Sequence, residues 1–183
     1  FCMAVQDVRY YLNGLLLELE PNHLRAVGTD GHRMALAELG VEMQLTDARQ
    51  VIVPRKGIQE MLRLLEQSEQ TVRLELAHNH VRAHLPGIRF TSKLIDGRFP
   101  DYERVIPDVQ GGCMRVDRET LRQGLVRTAI LSNEKYRGVR LVLGENTVTI
   151  RSENPEQEHA EEELSAEYDG EPLEIGFNAG YML

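Results

Sequence analysis

Residues 29–33 read Thr-Asp-Gly-His-Arg and place a carboxylate and an imidazole two positions apart. An Asp and a His at this spacing could act as an acid–base pair or as part of a metal site. The sequence supplies no nucleophile or third ligand beside them, and Gly31 favours a tight turn in which Asp30 accepts backbone hydrogen bonds. We therefore predict a turn or a binding surface here, and a hydrolase that uses Asp30 and His32 is the alternative.

Three histidines form the second candidate group. His80 and His84 alternate with apolar residues on one predicted strand, and His78 precedes them in a turn. His80 and His84 would lie roughly 13 Å apart by strand rise, which is too far to share one ion. We therefore predict a solvated polar face and no metal site. The sequence has no Gly-rich phosphate loop, Ser-His-Asp arrangement or CxxC motif. We expect no cofactor and favour a scaffold or binding role over an enzyme.

The charge of the chain is acidic and uneven. It has 21 Lys+Arg against 29 Asp+Glu, a formal net charge of −8. Residues 1–107 carry a net −1 and residues 108–183 a net −7, with ten acids and no Lys or Arg in residues 153–174. This balance argues against tight electrostatic binding of nucleic acid and predicts an acidic face for a basic partner.

The remaining composition predicts where the protein works. No apolar run approaches the ~18 residues that a membrane span needs. Two distant cysteines offer no disulfide framework, which indicates a reduced, cytoplasmic compartment. The chain has no initiator Met, so we expect a fragment.

The elements that would position these residues occur in an internal repeat. Residues 14–19 (GLLLEL) and 138–143 (GVRLVL) are alternating strands, each followed by a turn, and they lie 124 residues apart. The same offset relates Leu24 to Val148 and Val53 to Phe177. Two copies of one supersecondary unit is the simplest interpretation.

Each copy predicts helices and antiparallel strands, an α+β arrangement. In the second copy we predict a strand over residues 112–116, a helix from an Asp117 N-cap to about Ser132, a hairpin, a long polar strand over 157–168, a strand over 173–177 and a further N-cap at Asn178. In the first copy we predict a helix with Pro54 at its first position that runs to about Gln67, with Ile58, Met61, Leu62 and Leu65 facing inward, and then strands over 71–77, 80–85 and 88–95. A linker rich in Pro and Gly is expected over residues 105–112.

Polar residues lie opposite the apolar stripe of each predicted helix. These are Lys56, Gln59 and Arg63 in the first copy and Gln123 and Arg127 in the second. They are either ordinary solvent-facing residues or a basic surface that would track phosphate without reading bases. Ile130 and Leu131 fall off the stripe and either cover the next turn or anchor an interface.

Several longer motifs resemble one known family. The chain is similar, in collinear order, to the bacterial β sliding clamp, the β subunit of DNA polymerase III. The motifs are DVRYYLNG at 7–14, TDGHR at 29–33, VPRKG at 53–57, FTSKLIDGRFPDY at 90–102, LSNEKYRGVR at 131–140 and NPEQE at 154–158.

The resemblance implies a fold and a function. In this family three copies of one domain form a subunit, and two subunits close a ring around duplex DNA. The implied fold is the DNA-clamp fold, in which repeated helix–antiparallel-sheet units form a continuous outer sheet with helices on the inner face. Residues 1–106 would be the middle domain without its first elements, and residues 107–183 the first half of the C-terminal domain. The implied protein is a non-catalytic processivity factor without cofactors.

The resemblance also implies partners and the residues that would meet them. Short peptides of the DNA polymerase III α subunit, the clamp loader and other polymerases would bind a cleft whose matching positions are Leu12, Thr29, Gly31, His32, Arg33, Met34, Pro100, Arg104, Val105, Tyr136, Asn178 and Tyr181. Double-stranded DNA would face Gln6, Tyr10, Tyr11, Arg55, Lys56 and Arg63. The homodimer interface of the full-length protein would use Ile130, Leu131, Glu156, Glu158, Glu161 and Glu162. Met34 stands where the family commonly has Leu, and Tyr136 where it commonly has Phe. A clamp-fold interaction module with no DNA role is the alternative.

Overall fold

Alternating apolar residues build the first antiparallel sheet. A computed structural model describes residues 1–43, 45, 47–66, 71–108 and 112–183 and divides the chain into a first unit, Phe1–Val105, and a second unit, Ile106–Leu183. The first unit begins with strands β1 (Gly14–Glu20), β2 (His23–Thr29), β3 (Met34–Gly40) and β4 (Arg49–Pro54). They form one antiparallel sheet in the order β3-β2-β1-β4.

Helix α1 (Arg55–Leu65) follows β4 directly. Pro54 has φ −55° and ψ 143° and is the N-cap, so its prediction as the first helical residue is wrong by one position, because its extended backbone still belongs to β4. The predicted helix end at Gln67 lies outside the described residues. Met61 is buried, but Leu62 is 56% and Leu65 36% exposed, contrary to the prediction that both face inward. Leu62 is turned about 100° around the axis from Met61, onto the side that carries the exposed Gln59.

A second, three-stranded sheet completes the first unit. Its strands are β5 (Arg73–Leu76), β6 (His80–Leu85) and β7 (Ile88–Lys93), in the order β5-β6-β7. The predicted strand over 88–95 ends at Lys93, and Ile95 instead makes an isolated bridge to Ile52 of the first sheet. The predicted strand over 71–77 shortens to β5.

Two apolar clusters stabilise the first unit, one on each face of the four-stranded sheet. Leu17, Leu19, Val53 and Val81 form one with partly buried residues that include Ile58 of α1. The other consists of Ala4, Leu12, Leu16, Val27, Ile52, Phe99 and Tyr102. Both faces of β1 are therefore covered. Burial of these apolar side chains is the main term that stabilises the first unit.

The second unit repeats this sheet. Its elements are β8 (Met114–Arg115), α2 (Arg118–Thr128), β9 (Gly138–Gly144), β10 (Thr147–Glu153), β11 (His159–Ser165), β12 (Glu167–Tyr168), β13 (Leu173–Asn178) and α3 (Ala179–Met182). The larger sheet has the order β11-β10-β9-β13, and β12 pairs with β8.

The predicted repeat of 124 residues is confirmed. Strands β1, β2 and β4 recur 124 residues later as β9, β10 and β13 with the same register, since Leu16 lies opposite Val27 and Ile52 and Arg140 lies opposite Arg151 and Gly176. The fourth strand of the second unit, β11, begins 125 residues after β3, so one extra residue lies in the connection before it.

The local predictions for the second unit are largely confirmed. Asp117 caps α2 by accepting a hydrogen bond from the Thr120 N–H, and Asn178 caps α3 through the Gly180 N–H. Helix α2 ends at Thr128 and continues as a 3₁₀ turn, Ala129–Leu131, instead of running to Ser132. The predicted strand over 112–116 shortens to β8.

The prediction of one continuous polar strand over residues 157–168 is wrong. The structure has two strands there, β11 and β12, interrupted at Ala166. The buried Ala166 donates its N–H to the Asn146 carbonyl, the next position of the β10–β11 register, but Asn146 has φ +58° and belongs to the turn before β10, so the ladder ends there. Gln157 has φ +64° and belongs to the preceding turn. Among the described residues, no helix is both long and apolar enough to cross a membrane.

Candidate partner-binding site and charged surfaces

The 29–33 turn is held by hydrogen bonds among its own residues. The Asp30 Oδ1 accepts the backbone N–H groups of His32 at 2.9 Å and Arg33 at 3.0 Å, and its Oδ2 accepts Arg33 Nε at 3.2 Å. Thr29 Oγ1 donates to the Arg33 carbonyl at 2.8 Å. Gly31 has φ +87°, a backbone conformation that favours glycine.

The ionisation of Asp30 fits this turn. Burial would raise the pKa of its carboxyl, but the hydrogen bonds from His32 and Arg33 and the Arg33 charge outweigh it, so the pKa is lowered. Asp30 is therefore an ionised acceptor for donors of its own turn, as the turn prediction requires. This geometry does not favour Asp30 as the general base of a hydrolase.

Arg9 is a residue of this site that the sequence analysis missed. Its Nη2 donates to the Asp30 carbonyl at 3.2 Å, and its Nε donates to Asp7 at 3.0 Å. A Cβ on Gly31 would lie 2.9 Å from Arg9 Nη1, so the guanidinium lies over the turn. The hydrogen bond from Arg9 is the main reason that the pKa of Asp7 falls to about 2. The Asp-x-Arg spacing of residues 7–9 is the signal that could have found it.

Two more predicted cleft residues lie beside this turn in the first unit. Met34 follows it at the start of β3, is half-buried and packs against the cluster that contains Leu12. Leu12 itself is 2% exposed. Met34 is thus the more accessible of the two for a bound apolar side chain.

The 99–105 segment, which carries three more predicted cleft residues, is anchored by two buried side chains. Phe99 and Tyr102 are buried in the same cluster as Leu12. Pro100 is exposed, Val105 is 68% exposed, and Arg104 is exposed beside Asp101, at 2.7 Å. Two buried residues therefore anchor a short segment whose other side chains are exposed.

Two of the predicted cleft residues of the second unit, Tyr136 and Asn178, are in contact. Asn178 Nδ2 donates to the Tyr136 carbonyl at 2.9 Å, which links the loop before β9 to the end of β13. Tyr136 is exposed, and the Lys135 ammonium lies 5.1 Å from its ring centroid. Tyr136 and Asn178 line an open cleft of about 840 Å³ together with Arg140 and Arg151. Tyr181, in α3, is 41% exposed.

The predicted DNA-facing residues fall into two groups. On α1, Lys56 and Arg63 are exposed, and Arg63 Nη1 lies 3.2 Å from Glu60. Arg55 differs, since its Nη1 donates to the Met3 carbonyl at 2.8 Å and so holds the start of the chain. The second group, Gln6, Tyr10 and Tyr11, precedes β1.

The second group presents one aromatic pair. The rings of Tyr10 and Tyr11 meet edge-to-face with centroids 5.7 Å apart. Tyr10 is exposed and Tyr11 half-buried, while Gln6 is exposed with φ +55°.

The polar residues of the second helix, for which the sequence leaves open a solvent-facing role or a basic surface, lie beside carboxylates. Arg127 Nε donates to Glu162 Oε2 at 2.9 Å, and its Nη2 contacts the other carboxylate oxygen. Gln123 donates to Glu119 at 3.1 Å. Acidic neighbours therefore offset the charge of Arg127.

The predicted interface residues lie at one edge of the second unit. Strand β11 is an edge strand, and Glu161 and Glu162 project to its two faces. Glu161 pairs with Arg151 at 2.7 Å, and Glu158 accepts Asn154 Nδ2 at 2.7 Å. The remaining members are Glu156, which is exposed, Ile130, which is 75% exposed, and Leu131, which is half-buried.

The histidines are separated as predicted. His80 and His84 share one face of β6, and His84 Nε2 lies 2.9 Å from Glu75 Oε2. The residues that the structure describes contain no group of three or more His, Cys, Asp or Glu that could hold a metal ion.

Comparisons with known proteins agree with this fold and these motifs. Residues 1–101 match the family model of the DNA polymerase III beta subunit, central domain, and residues 103–183 match its C-terminal domain. The beta sliding clamp of Pseudomonas putida is 57% identical over 185 residues, which cover all of this chain and 50% of the relative. The clamp of Escherichia coli K12 is 50% identical over 183 residues, with the same coverage.

Solved structures are similar in the same way. The crystal structure of the DNA polymerase III subunit beta from Pseudomonas aeruginosa superposes with a TM-score of 0.95 at 54% identity, over 99% of this chain and 50% of that one. A sliding clamp from the same species, solved bound to griselimycin, superposes with a TM-score of 0.94 at 54% identity, over 99% of this chain and 49% of that one.

The matches define the class of protein as one with the α+β DNA-clamp fold, which confirms the fold class inferred from the motifs. The chain belongs to the DNA polymerase III beta subunit family, the bacterial sliding clamps. It spans about half the length of the curated relatives it matches.

Proposed function

We propose that this chain is part of a non-enzymatic DNA polymerase processivity factor, a sliding clamp that encircles double-stranded DNA. The observation that carries the proposal is the consecutive match of residues 1–101 and 103–183 to two domains of one clamp subunit, on a fold with a TM-score of 0.95. Residues 1–106 would be the middle domain without its N-terminal elements, and 107–183 the first half of the C-terminal domain. The complete protein would act in the cytoplasm as a homodimeric ring, with a continuous outer sheet and inner helices.

We propose that the peptide-binding cleft takes its apolar floor in the first unit from Met34, Pro100 and Val105. The ordered 29–33 turn beside Met34 supports this, because a few fixed polar groups next to apolar surface are typical of peptide and ligand sites. Thr29, Gly31, His32 and Arg33 would form the polar rim, with Leu12 beneath it. Tyr136, Asn178 and Tyr181 would contribute from the second unit. The partners would be short peptide motifs of the polymerase α subunit, the clamp loader and other polymerases.

The DNA-facing surface would be weakly basic. The exposed Lys56 and Arg63 support phosphate contact from α1. Arg55, Gln6, Tyr10 and Tyr11 would complete this surface, as the resemblance to the family implies. Each phosphate contact adds affinity and salt dependence, so a chain with net charge −8 and few such cations suits a ring that slides and does not bind one place tightly.

The subunit interface would use the exposed edge of β11. Glu156, Glu158, Glu161 and Glu162 would meet basic groups of the other subunit, and Ile130 with Leu131 would supply apolar contact. Open edge strands are natural templates for pairing with another chain, which supports this assignment.

A binding titration tests the central claim. A fluorescent peptide of the Gln-Leu-x-Leu-Phe type is titrated with this chain and followed by anisotropy, and griselimycin, which is bound in a solved relative, is then added as a competitor. We expect saturable binding that griselimycin displaces and that Met34→Glu abolishes, because a carboxylate would be desolvated under the apolar anchor.

Ile88→Glu is the matched control, since Ile88 is an exposed apolar residue of β7 in the same unit. It should bind like the parent chain. Absence of binding by a folded parent chain, or equal loss in both variants, would contradict the proposed cleft.

A further inference from the structure

Arg25 of β2 contacts residues from three separate parts of the first unit. Its Nη1 donates to the Tyr102 hydroxyl at 2.8 Å and to Glu103 Oε1 at 3.0 Å. Its Nε donates to Glu38 Oε1 at 2.7 Å, and Nη1 lies 3.4 Å from Glu18 Oε2. One guanidinium therefore joins β1, β2 and β3 to the 99–105 segment.

A second set of hydrogen bonds closes this arrangement. The Tyr102 hydroxyl donates to Glu18 Oε2 at 2.5 Å. Gln50 of β4 donates to the other oxygen of the same carboxylate at 2.6 Å. All four strands of the sheet thus reach the 99–105 segment through Glu18, Arg25 and Tyr102, which we call the Arg25 network.

The Arg25 network is sheltered enough to hold its geometry. The side chains of Arg25 and Glu18 are 25% and 17% exposed, and Tyr102 is 6% exposed. Charge-assisted hydrogen bonds are shorter and stronger than neutral ones, and the planar guanidinium fixes their directions. Burial and the hydrogen bond to Glu18 raise the pKa of Tyr102, so the phenol remains a donor.

The residues that the network holds are neighbours of proposed peptide-binding residues. Tyr102 and Glu103 lie between Pro100 and Val105, both exposed. Glu38 lies on β3, the strand that begins at Met34. The network is therefore attached to both chain segments that would form the apolar floor in the first unit.

We propose that Arg25 and Tyr102 are positioning residues of the peptide-binding site, which hold the 99–105 segment against the sheet so that Pro100 and Val105 face the bound peptide. The proposal rests on the proposed function. Neither residue needs to touch the peptide. Their contribution is preorganisation, since a segment that is already ordered loses less conformational freedom when the peptide binds.

The test uses Tyr102→Phe, which removes one hydroxyl and keeps the buried ring, together with Arg25→Gln and Arg25→Lys. Arg73→Gln is the control, because it removes an ion pair to Glu75 on the other sheet of the same unit. Each full chain is measured by amide hydrogen exchange over residues 99–105 and by anisotropy with the labelled Gln-Leu-x-Leu-Phe peptide. Urea unfolding of each variant checks stability.

We expect Tyr102→Phe and Arg25→Gln to speed exchange over residues 99–105 by roughly tenfold, through more frequent local opening. We expect both to raise the peptide Kd by about three- to tenfold, as lost preorganisation requires, with an unchanged urea midpoint for Tyr102→Phe and a lower midpoint for Arg25→Gln, because Glu18 then loses its cation. Arg25→Lys should recover part of the affinity because it keeps the charge, and Arg73→Gln should match the parent.

Two results would overturn the positioning role while leaving the proposed function intact. One is unchanged exchange over residues 99–105 in both variants, and the other is faster exchange with a parental Kd. Failure of the folded parent chain to bind the peptide would instead contradict the proposed function, and the positioning role with it. The exchange measurement separates these cases, since it needs no ligand.

Discussion

The two four-stranded sheets share one topology, yet one face is closed in the first unit and open in the second. In the first unit this face carries Leu16, Val27 and Ile52, all buried under Phe99 and Tyr102. We call it the Leu16 face. In the second unit the positions 124 residues later are Arg140, Arg151 and Gly176, and they line an open cleft. We call it the Arg140 face.

The difference shows which part of the sheet is common to both units. The opposite face is apolar in each, with Leu17 and Leu19 in the first unit and Leu141 and Leu143 in the second. That face supplies the apolar burial that holds the strands together, and a buried face also fixes the register in which the strands pair. The Leu16 and Arg140 faces are therefore free to differ, one as core and one as a charged surface with the pairs Arg140–Glu174 and Arg151–Glu161.

Exchanging the residues at one equivalent position is the strongest way to break this comparison. Leu16→Arg would place a cation, without a carboxylate partner, among Leu12, Val27 and Phe99, and we expect it to destabilise the first unit by about 4 kcal/mol or more. Arg140→Leu should change the stability of the second unit by less than about 0.5 kcal/mol, because the site is exposed. Hydrogen exchange of the β1–β4 and β9–β13 peptides in increasing urea measures the two units separately. Equal effects of the two variants would mean that the faces are not different in kind.

The equivalent glycines that begin β1 and β9 give a smaller contrast. A Cβ on Gly14 would lie 2.6 Å from the Val53 carbonyl oxygen and 2.7 Å from Ile52 Cγ2, whereas a Cβ on Gly138 would meet nothing within 4 Å. Overpacking against backbone forces local shifts, so we expect Gly14→Ala to cost about 1–3 kcal/mol. Gly138→Ala should be neutral or slightly stabilising, by up to about 1 kcal/mol, through the unfolded chain. Urea unfolding of the two variants checks this, and a comparable loss in Gly138→Ala would contradict the open geometry at β9.

Local signals account for what the sequence predicted well. The alternation in β1 and β9, the N-caps Asp117 and Asn178 and the 29–33 turn all depend on residues close together in the chain. The same locality explains the failures at Leu62 and Ala166. A stripe pattern does not show how wide the covered face of α1 is, and the residues around Ala166 do not show that the partner strand β10 begins only at Thr147, opposite Ser165.

The candidate site was predicted as a set of positions, without its geometry. Family motifs led to Met34, Pro100 and Val105 because these recur in collinear order. They did not lead to Arg25, whose contact to Tyr102 spans 77 positions, or to Arg9, which reaches Asp30 across 21. Charged residues on a strand look like ordinary solvent-facing residues until the fold brings their partners to them.

The smallest expected effect concerns the ion pair that joins α2 to β11 on the helix-facing side of the second sheet. Ala37, 125 residues before Glu162, is its counterpart on β3, so the first unit has no carboxylate at this position.

The hydrogen bond from Arg127 lowers the pKa of Glu162 below its usual 4.5. A lowered folded-state pKa contributes stability that is complete above the unfolded pKa and is lost as pH falls through the folded value. Glu162→Gln should therefore lower the stability of the second unit at pH 7 by a few tenths of a kcal/mol, as exposed pairs do, and the difference should narrow as pH falls below 4.5 through the lowered folded-state pKa. Urea midpoints of the β9–β13 peptides between pH 7 and 3 test this, with Glu163→Gln, on the other face of β11, as the control. A difference that does not narrow between pH 7 and pH 3 would show that Glu162 stabilises this edge by packing and not by its charge.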